Sequence, residues 1–118
     1  QQSKLVAARA VALSYSQGAY NYLLTNKSRT LPRYSTWFGN YARSNWNKVK
    51  SNFQKITKAF NTEMIQFDCS CTNDNYYAYV YVDSPYVIYL CGVFWTTSLT
   101  GTDSKGGTLV HEMSHFTV

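Results

Sequence analysis

Apolar residues in the first part of the chain recur at helical spacing. Val6, Ala10, Leu13, Tyr20 and Leu24 step along one line with only polar Gln17 interrupting it, which predicts a helix from Ser3 to Thr25. Asn26 to Pro32 has no such period and closes on a proline, so it reads as a linker. A second helix is predicted from Phe38 to Phe60. Ala42, Trp46, Val49, Phe53, Ile56 and Phe60 step by fours and threes, while Lys48, Lys50, Lys55 and Lys58 fall largely off that line. From Glu63 the period shortens. Ile65, Phe67 and Cys69 alternate, and Tyr77 to Val82 alternates tyrosines with Ala78, Val80 and Val82, the pattern of a half-buried strand. Asp83-Ser84-Pro85 supplies a turn, and Tyr86 to Leu90 returns as a third strand. A polar loop, Thr96 to Ser104, leads into a last helix with Thr108, Leu109, Val110 and Met113 on its apolar side. Asp103 or Ser104 is placed to cap that helix, and Gly106 and Gly107 in its first turn permit a close approach by another segment. This order predicts an α+β fold in a single domain, residues 1–118: two N-terminal helices, a small antiparallel sheet, then the C-terminal helix.

The last helix carries the chemistry. His111-Glu112-Met113-Ser114-His115 puts two imidazoles four residues apart, on one helix face and one turn from each other, within reach of one metal ion. Glu112 directly follows the first of them, where it can take a proton from water activated by the metal. The motif is short, and a surface helix with two solvated histidines is its bland explanation. Against that, these are the chain's two histidines and both sit at ligand spacing. A catalytic zinc takes three protein ligands and an open position. Asp103 precedes the helix, and Asp68 and Asp74 belong to the sheet region beside the cysteines, so each is a poor third ligand. The third ligand is expected beyond Val118, and the chain alone is expected to lack it.

Composition sets the surroundings. The chain has 118 residues, 45% of them hydrophobic, enough for one core. Charged residues are only 14%, against about 25% in soluble proteins generally, with Ser, Thr, Asn and 11 Tyr in their place. That balance, and an opening of Gln1-Gln2-Ser3, suggest a processed segment of a secreted, extracellular protein. No stretch approaches the ~18 apolar residues of a membrane span. The net charge of +5 is carried largely on the wet side of the second helix, without the arginine clusters and interleaved aromatics that nucleic-acid binding needs. Cys69, Cys71 and Cys91 are an odd number. The predicted hairpin brings Cys71 and Cys91 together at its open end, leaving Cys69 without a partner in this chain. A cysteine-rich zinc site is the rival reading, but no pair has the two-residue gap such sites favour.

Phe67-Asp68-Cys69-Ser70-Cys71, Tyr79-Val80-Tyr81, the run from Tyr89 to Trp95 and the run from Gly101 to Phe116 (GTDSKGGTLVHEMSHF) resemble the aspzincins, secreted deuterolysin-type zinc endopeptidases. Arg33-Tyr34-Ser35-Thr36-Trp37-Phe38-Gly39 is most similar to the peptidyl-Lys metalloendopeptidase branch. The resemblance implies a zincin-like fold and one catalytic Zn2+, held by His111, His115 and an aspartate from a Gly-Thr-x-x-Asp-x-x-Tyr-Gly segment beyond Val118. It implies Glu112 as general base and acid, a Cys71–Cys91 disulfide, and Cys69 paired upstream of Gln1. It further implies hydrolysis of protein or peptide substrates, with cleavage on the N-terminal side of lysine in that branch. Residues 1–118 then form an incomplete catalytic domain whose partner is a remaining piece of the same enzyme. The competing reading from the residues is a secreted glycan-binding module that uses Tyr77, Tyr79 and Tyr81 as a platform, without catalysis. A basic surface-binding domain comes third.

Overall fold

The computed structural model describes residues 2–25 and 43–117. The expected linker from Asn26 to Pro32, the start of the second helix from Phe38 to Ala42, and the Arg33–Gly39 motif lie outside them. Among the described residues, four helices and three strands follow in the order α1 (Gln2–Thr25), α2 (Arg43–Thr62), β1 (Gln66–Asp68), β2 (Ala78–Tyr79), β3 (Val87–Leu90), α3 (Gly92–Thr96) and α4 (Lys105–Thr117).

Helix α1 forms where predicted but is rotated from the expected face. Its buried line is Ala8, Ala12, Ser16 and Leu23, whereas Val6 is 71% exposed and Leu24 41% exposed. The reason is the company it keeps: α1 packs against both α2 and α4. Small side chains sit at the closest approach, while Leu5 and Leu13 fill the flanks. The Ser16 hydroxyl, buried on that face, donates to the Ala12 and Leu13 carbonyls at 2.9 and 3.1 Å, so it leaves no unsatisfied polar group. Helix α2 keeps its predicted stripe, with Trp46, Ile56 and Phe60 buried and Val49 and Phe53 half-buried. Arg9 of α1 closes its C-terminal end. The guanidinium donates to the Phe60 carbonyl (3.2 and 3.0 Å) and to the Glu63 carbonyl (2.9 Å), placing a cation at the negative end of the helix dipole.

The sheet corrects the expectation of a purely antiparallel arrangement. Its order is β1-β3-β2. β2 runs antiparallel to β3, with Ala78 opposite Leu90, but β1 runs parallel to β3, with Phe67 opposite Ile88. Strand β3 takes the centre because it carries the core pair Ile88 and Leu90, both fully buried. Residues 69–77 therefore cross the C-terminal end of β3 to reach β2. The Cys71–Cys91 disulfide and the bonds Gly92 N–H to Asn73 O (3.0 Å) and Cys91 N–H to Tyr77 O (2.9 Å) fasten that crossing. β2 is shorter than the predicted Tyr77–Val82, because the chain turns after Tyr81, where the Ser84 N–H bonds back to its carbonyl at 2.9 Å. The five-residue α3 was not anticipated; it buries Phe94 completely.

The core lies between the helices and the inner face of the sheet. Ile56 and Phe60 of α2, Ile88 and Leu90 of β3, Phe94 of α3, and Leu109 and Met113 of α4 form one cluster with Ala8 and Ala12. Helix α4 starts at Ser104, whose hydroxyl accepts the Gly107 N–H (3.0 Å) and donates to the Gly101 carbonyl (2.6 Å). Gly106 sits directly over α1. A Cβ there would lie 2.3 Å from Val11 Cγ1 and 2.9 Å from Val11 Cβ. The methyl gained by Gly106→Ala would favour an isolated helix, but β-branched Val11 has little rotamer freedom to yield. Gly106→Ala is therefore expected to destabilise the protein by about 1–3 kcal/mol, and adding Val11→Ala to recover part of it. Denaturant midpoints of the four-protein cycle check this, and additive effects would contradict it.

Candidate metal centre

Leu109 and Met113 lock the rotation of α4. They are four residues apart and fully buried, so one face of the helix is committed to the core. His111 and His115 share the same spacing on the outward side, and both are exposed. Their ring centroids lie 5.0 Å apart with the planes 84° to each other. Glu112 falls at the boundary between the two faces and is only 7% exposed. Its Oε1 is 4.0 Å from His111 Nε2. The ligand atoms of the three residues all lie within 4.8 Å of one another. Two neutral imidazoles with a carboxylate beside them are a donor set suited to zinc, at bond lengths of about 2.0–2.1 Å, so the residues present fit the ion. Burial pushes the Glu112 carboxyl up to about 7, because water that would stabilise its charged form is largely excluded.

The other acids considered as ligands are not part of this group. Asp68 accepts from the Ser70 hydroxyl (2.5 Å) and the Ser70 N–H (2.9 Å), which hold its carboxyl below the usual range. Asp74 sits against Gly92, where a Cβ would meet its Oδ1 at 2.1 Å. Asp103 lines the cleft beside His111 without joining the cluster. Among the described residues, Cys69 is exposed and free, and Cys71 is bonded to Cys91 with Cα atoms 4.7 Å apart.

Two clefts meet at Glu112. One, of about 350 Å³, runs past His111 between residues 75–78 on one wall and Thr102, Asp103, Gly107 and Thr108 on the other. The second, of about 240 Å³, lies beside His115 and is lined by Ala78, Tyr79, Val80 and Val82. Both run along β2, which among the described residues pairs on one side only and so offers a free strand edge next to the paired histidines. The wall at Thr102 and Asp103 is held from several directions. The Gly101 N–H donates to the Tyr15 hydroxyl of α1 (2.7 Å), the Thr97 hydroxyl donates to the Asp103 carbonyl (2.7 Å), and the Lys105 N–H donates to the Ser98 carbonyl (2.7 Å). Gly101 has φ +111°, a conformation that suits glycine. The Lys105 ammonium, buried and with its pKa lowered first by desolvation and then by Lys4, donates to the Thr97 carbonyl beneath the Phe94 ring. Sequence patterning missed this wall; its one cue was a carboxylate in the loop leading into the metal helix.

The tyrosine row divides. Tyr77 lines the larger cleft. Tyr79 stacks on Tyr89 at 4.8 Å, and Tyr81 packs edge-on against both, at 5.7 and 5.5 Å. All three remain exposed (Tyr77 39%, Tyr79 38%, Tyr81 58%), but two of the rings are engaged with each other and with Tyr89 while the third lines the cleft beside His111, so they do not form one flat row.

A helix carrying paired histidines and a buried glutamate beside a free sheet edge defines the zincin class of metallopeptidases. Within it the chain belongs to the aspzincin (M35) family, whose model, described as lysine-specific metallo-endopeptidase, matches residues 23–118. The chain is 48% identical to a peptidyl-Lys metalloendopeptidase of Armillaria mellea over 118 residues, all of this chain and 33% of that protein. It is 45% identical to an extracellular protease of Aeromonas hydrophila, again over its whole length and 34% of that protein. The solved structure of a zinc peptidase from Grifola frondosa superimposes with a TM-score of 0.91 at 45% identity, covering 98% of this chain and 70% of that one. The chain thus spans about a third of the length of these first two relatives. Membership of this family implies zinc.

The raised Glu112 carboxyl has a consequence for stability in the metal-free protein. The ordinary value is 4.5 and the folded value about 7, so the folded state binds this proton more tightly than the unfolded state. The associated stability is fully present below about pH 4.5 and is lost as pH rises through about 7. Urea unfolding of metal-free protein across this window should show wild type losing up to about 3 kcal/mol relative to Glu112→Gln. A difference that does not vary with pH would contradict this.

Proposed function

We propose that the protein acts as a secreted zinc endopeptidase that hydrolyses peptide bonds in proteins on the N-terminal side of lysine. His111 and His115 are the zinc ligands and Glu112 is the general base and acid. The third ligand is the family's aspartate, contributed by polypeptide beyond Val118. The observation that carries this reading is the arrangement at α4: two imidazoles and a buried carboxyl whose atoms lie within 4.8 Å, at the junction of two clefts along a free strand edge.

Zinc, when bound, supplies an electrophile for the scissile carbonyl and acidifies the water that attacks it. Glu112 accepts the proton of that water through its carboxylate and then delivers it to the departing amine. A carboxyl shifted towards neutrality by burial suits both transfers, since it neither binds the proton too weakly nor refuses to release it. The outer edge of β2 can hold the substrate backbone as an added strand, which carries the scissile bond past Glu112 without regard to side chains. Side-chain preference then comes from the flanking clefts. A low content of charged residues and a disulfide agree with an extracellular site of action, as does the likeness to the extracellular protease of Aeromonas hydrophila. The lysine preference rests on the likeness to fungal peptidyl-Lys metalloendopeptidases.

Removing zinc with a chelator should abolish proteolysis, and restoring zinc should return it. Glu112→Gln should retain zinc yet lose kcat by several orders of magnitude, because an amide cannot accept the proton. Near-wild-type turnover in that variant would remove Glu112 from the chemistry. Digestion of an unfolded protein should give new N-termini dominated by lysine. An unbiased set of termini would leave the endopeptidase reading intact and withdraw the lysine preference.

A further inference from the structure

We infer that Lys105 is a positioning residue, whose ammonium, anchored on the Thr97 carbonyl, fixes the Thr102–Asp103 wall of the cleft beside His111; this rests on the endopeptidase reading above. Lys105 is the first residue of α4 and only 7% exposed. Three features act against a cation there. Burial removes water from the ammonium. The N-terminus of a helix is its positive pole, where a further positive charge is disfavoured. Lys4 of α1 adds another cation to the surroundings, and together with the burial it holds the Lys105 pKa below the usual lysine range. Among the described residues no carboxylate pairs with Lys105. What the ammonium gains is the Thr97 carbonyl and the Phe94 ring, whose centroid lies 5.9 Å from Nζ. A group placed at such cost contributes to the site rather than to stability.

Thr97 is where that contribution is made. It caps the C-terminal end of α3 in an extended conformation, with ψ 161°, and opens the loop that carries the wall. Its carbonyl accepts from Lys105, and its hydroxyl donates to the Asp103 carbonyl (2.7 Å) at the far end of the same loop. One residue thus joins the entry of the loop, its exit and the first turn of the metal helix. The foot of the loop is fastened by Lys105 N–H on the Ser98 carbonyl (2.7 Å) and Gly106 N–H on the Leu99 carbonyl (3.2 Å). Above that foot, Gly101, Thr102 and Asp103 are exposed, and the Gly101 N–H on the Tyr15 hydroxyl ties them to α1. The wall faces residues 75–78 across a cleft of about 350 Å³, so its placement sets the space left for a substrate beside β2. Methionine would fill the volume of the lysine stem. What it lacks is the donor.

The test compares zinc-loaded wild type, Lys105→Met, Thr97→Val and the double variant on one lysine-containing peptide. Zinc content, kcat, KM and the urea midpoint are measured for each. Lys105→Met should keep its zinc and a kcat within about twofold, while KM rises about three- to tenfold. Its urea midpoint should stay level or rise, because an apolar chain replaces a buried cation. Thr97→Val should raise KM to a similar degree, and the double variant no further, since both changes cut the same link. An unchanged KM in Lys105→Met, or KM effects that add in the double variant, overturns the assignment and leaves the endopeptidase intact. A lowered midpoint, or a Lys105→Met protein that does not fold, makes Lys105 a stability element and overturns it equally. Wild type that does not cleave the peptide overturns the endopeptidase reading and this assignment together.

Discussion

The seating of α4 on the core governs everything that happens at its outer face. Leu109 and Met113 point inwards at four-residue spacing and are fully buried. Any rotation of the helix would expose them, at a cost of roughly 2 kcal/mol per side chain. The same periodicity turns His111 and His115 outwards together. Val11 against Gly106 sets how closely α1 can approach, and the Ser104 cap sets where the helix starts. The geometry of the paired imidazoles is therefore a by-product of apolar packing on the other side of the helix. A change in that packing moves the histidines without touching them.

The same seating places Glu112 at the edge of the core, where it pays for its position. A charged carboxylate there is costly, and its proton affinity rises accordingly. In the proposed mechanism a raised proton affinity suits the role given to this carboxyl, since a proton carrier works best with a pKa near the pH of the reaction. The crossing segment 69–77, fastened by Cys71–Cys91, then brings β2 to the sheet edge facing this carboxyl. Helix, edge strand and the wall at Thr102–Asp103 converge because α1 holds both the helix, at Val11, and the wall, through Tyr15, while β3 holds the strand.

Much of this was legible in the residues, for physical reasons that can be named. The period-four stripe of α2 announced itself because large apolar residues fill it, and the metal helix because its motif and its apolar side share one period. The α1 face was misjudged for the opposite reason. At a close helix contact alanine and serine are buried, and large residues mark the flanks rather than the centre. The parallel pairing of β1 was invisible because alternation reports which side of a strand is buried, not which neighbour it has. The Cys71–Cys91 pair was read as closing the open end of a hairpin, and the same tie also fastens the segment that crosses the end of β3. The wall carrying Asp103 was missed because a loop has no period to read, and its placement depends on a tyrosine 86 residues away in sequence.

The central proposal is that His111 and His115 jointly hold one zinc ion on the outer face of α4. Zinc-edge X-ray absorption on the protein purified with its metal tests it most directly. The spectrum should show two imidazoles with nitrogen at about 2.0–2.1 Å, the remainder of the shell oxygen, and no sulfur. His111→Ala and His115→Ala should each lose the metal on dialysis. Zinc bound through Cys69, or retained with an unchanged shell in either histidine variant, would contradict it.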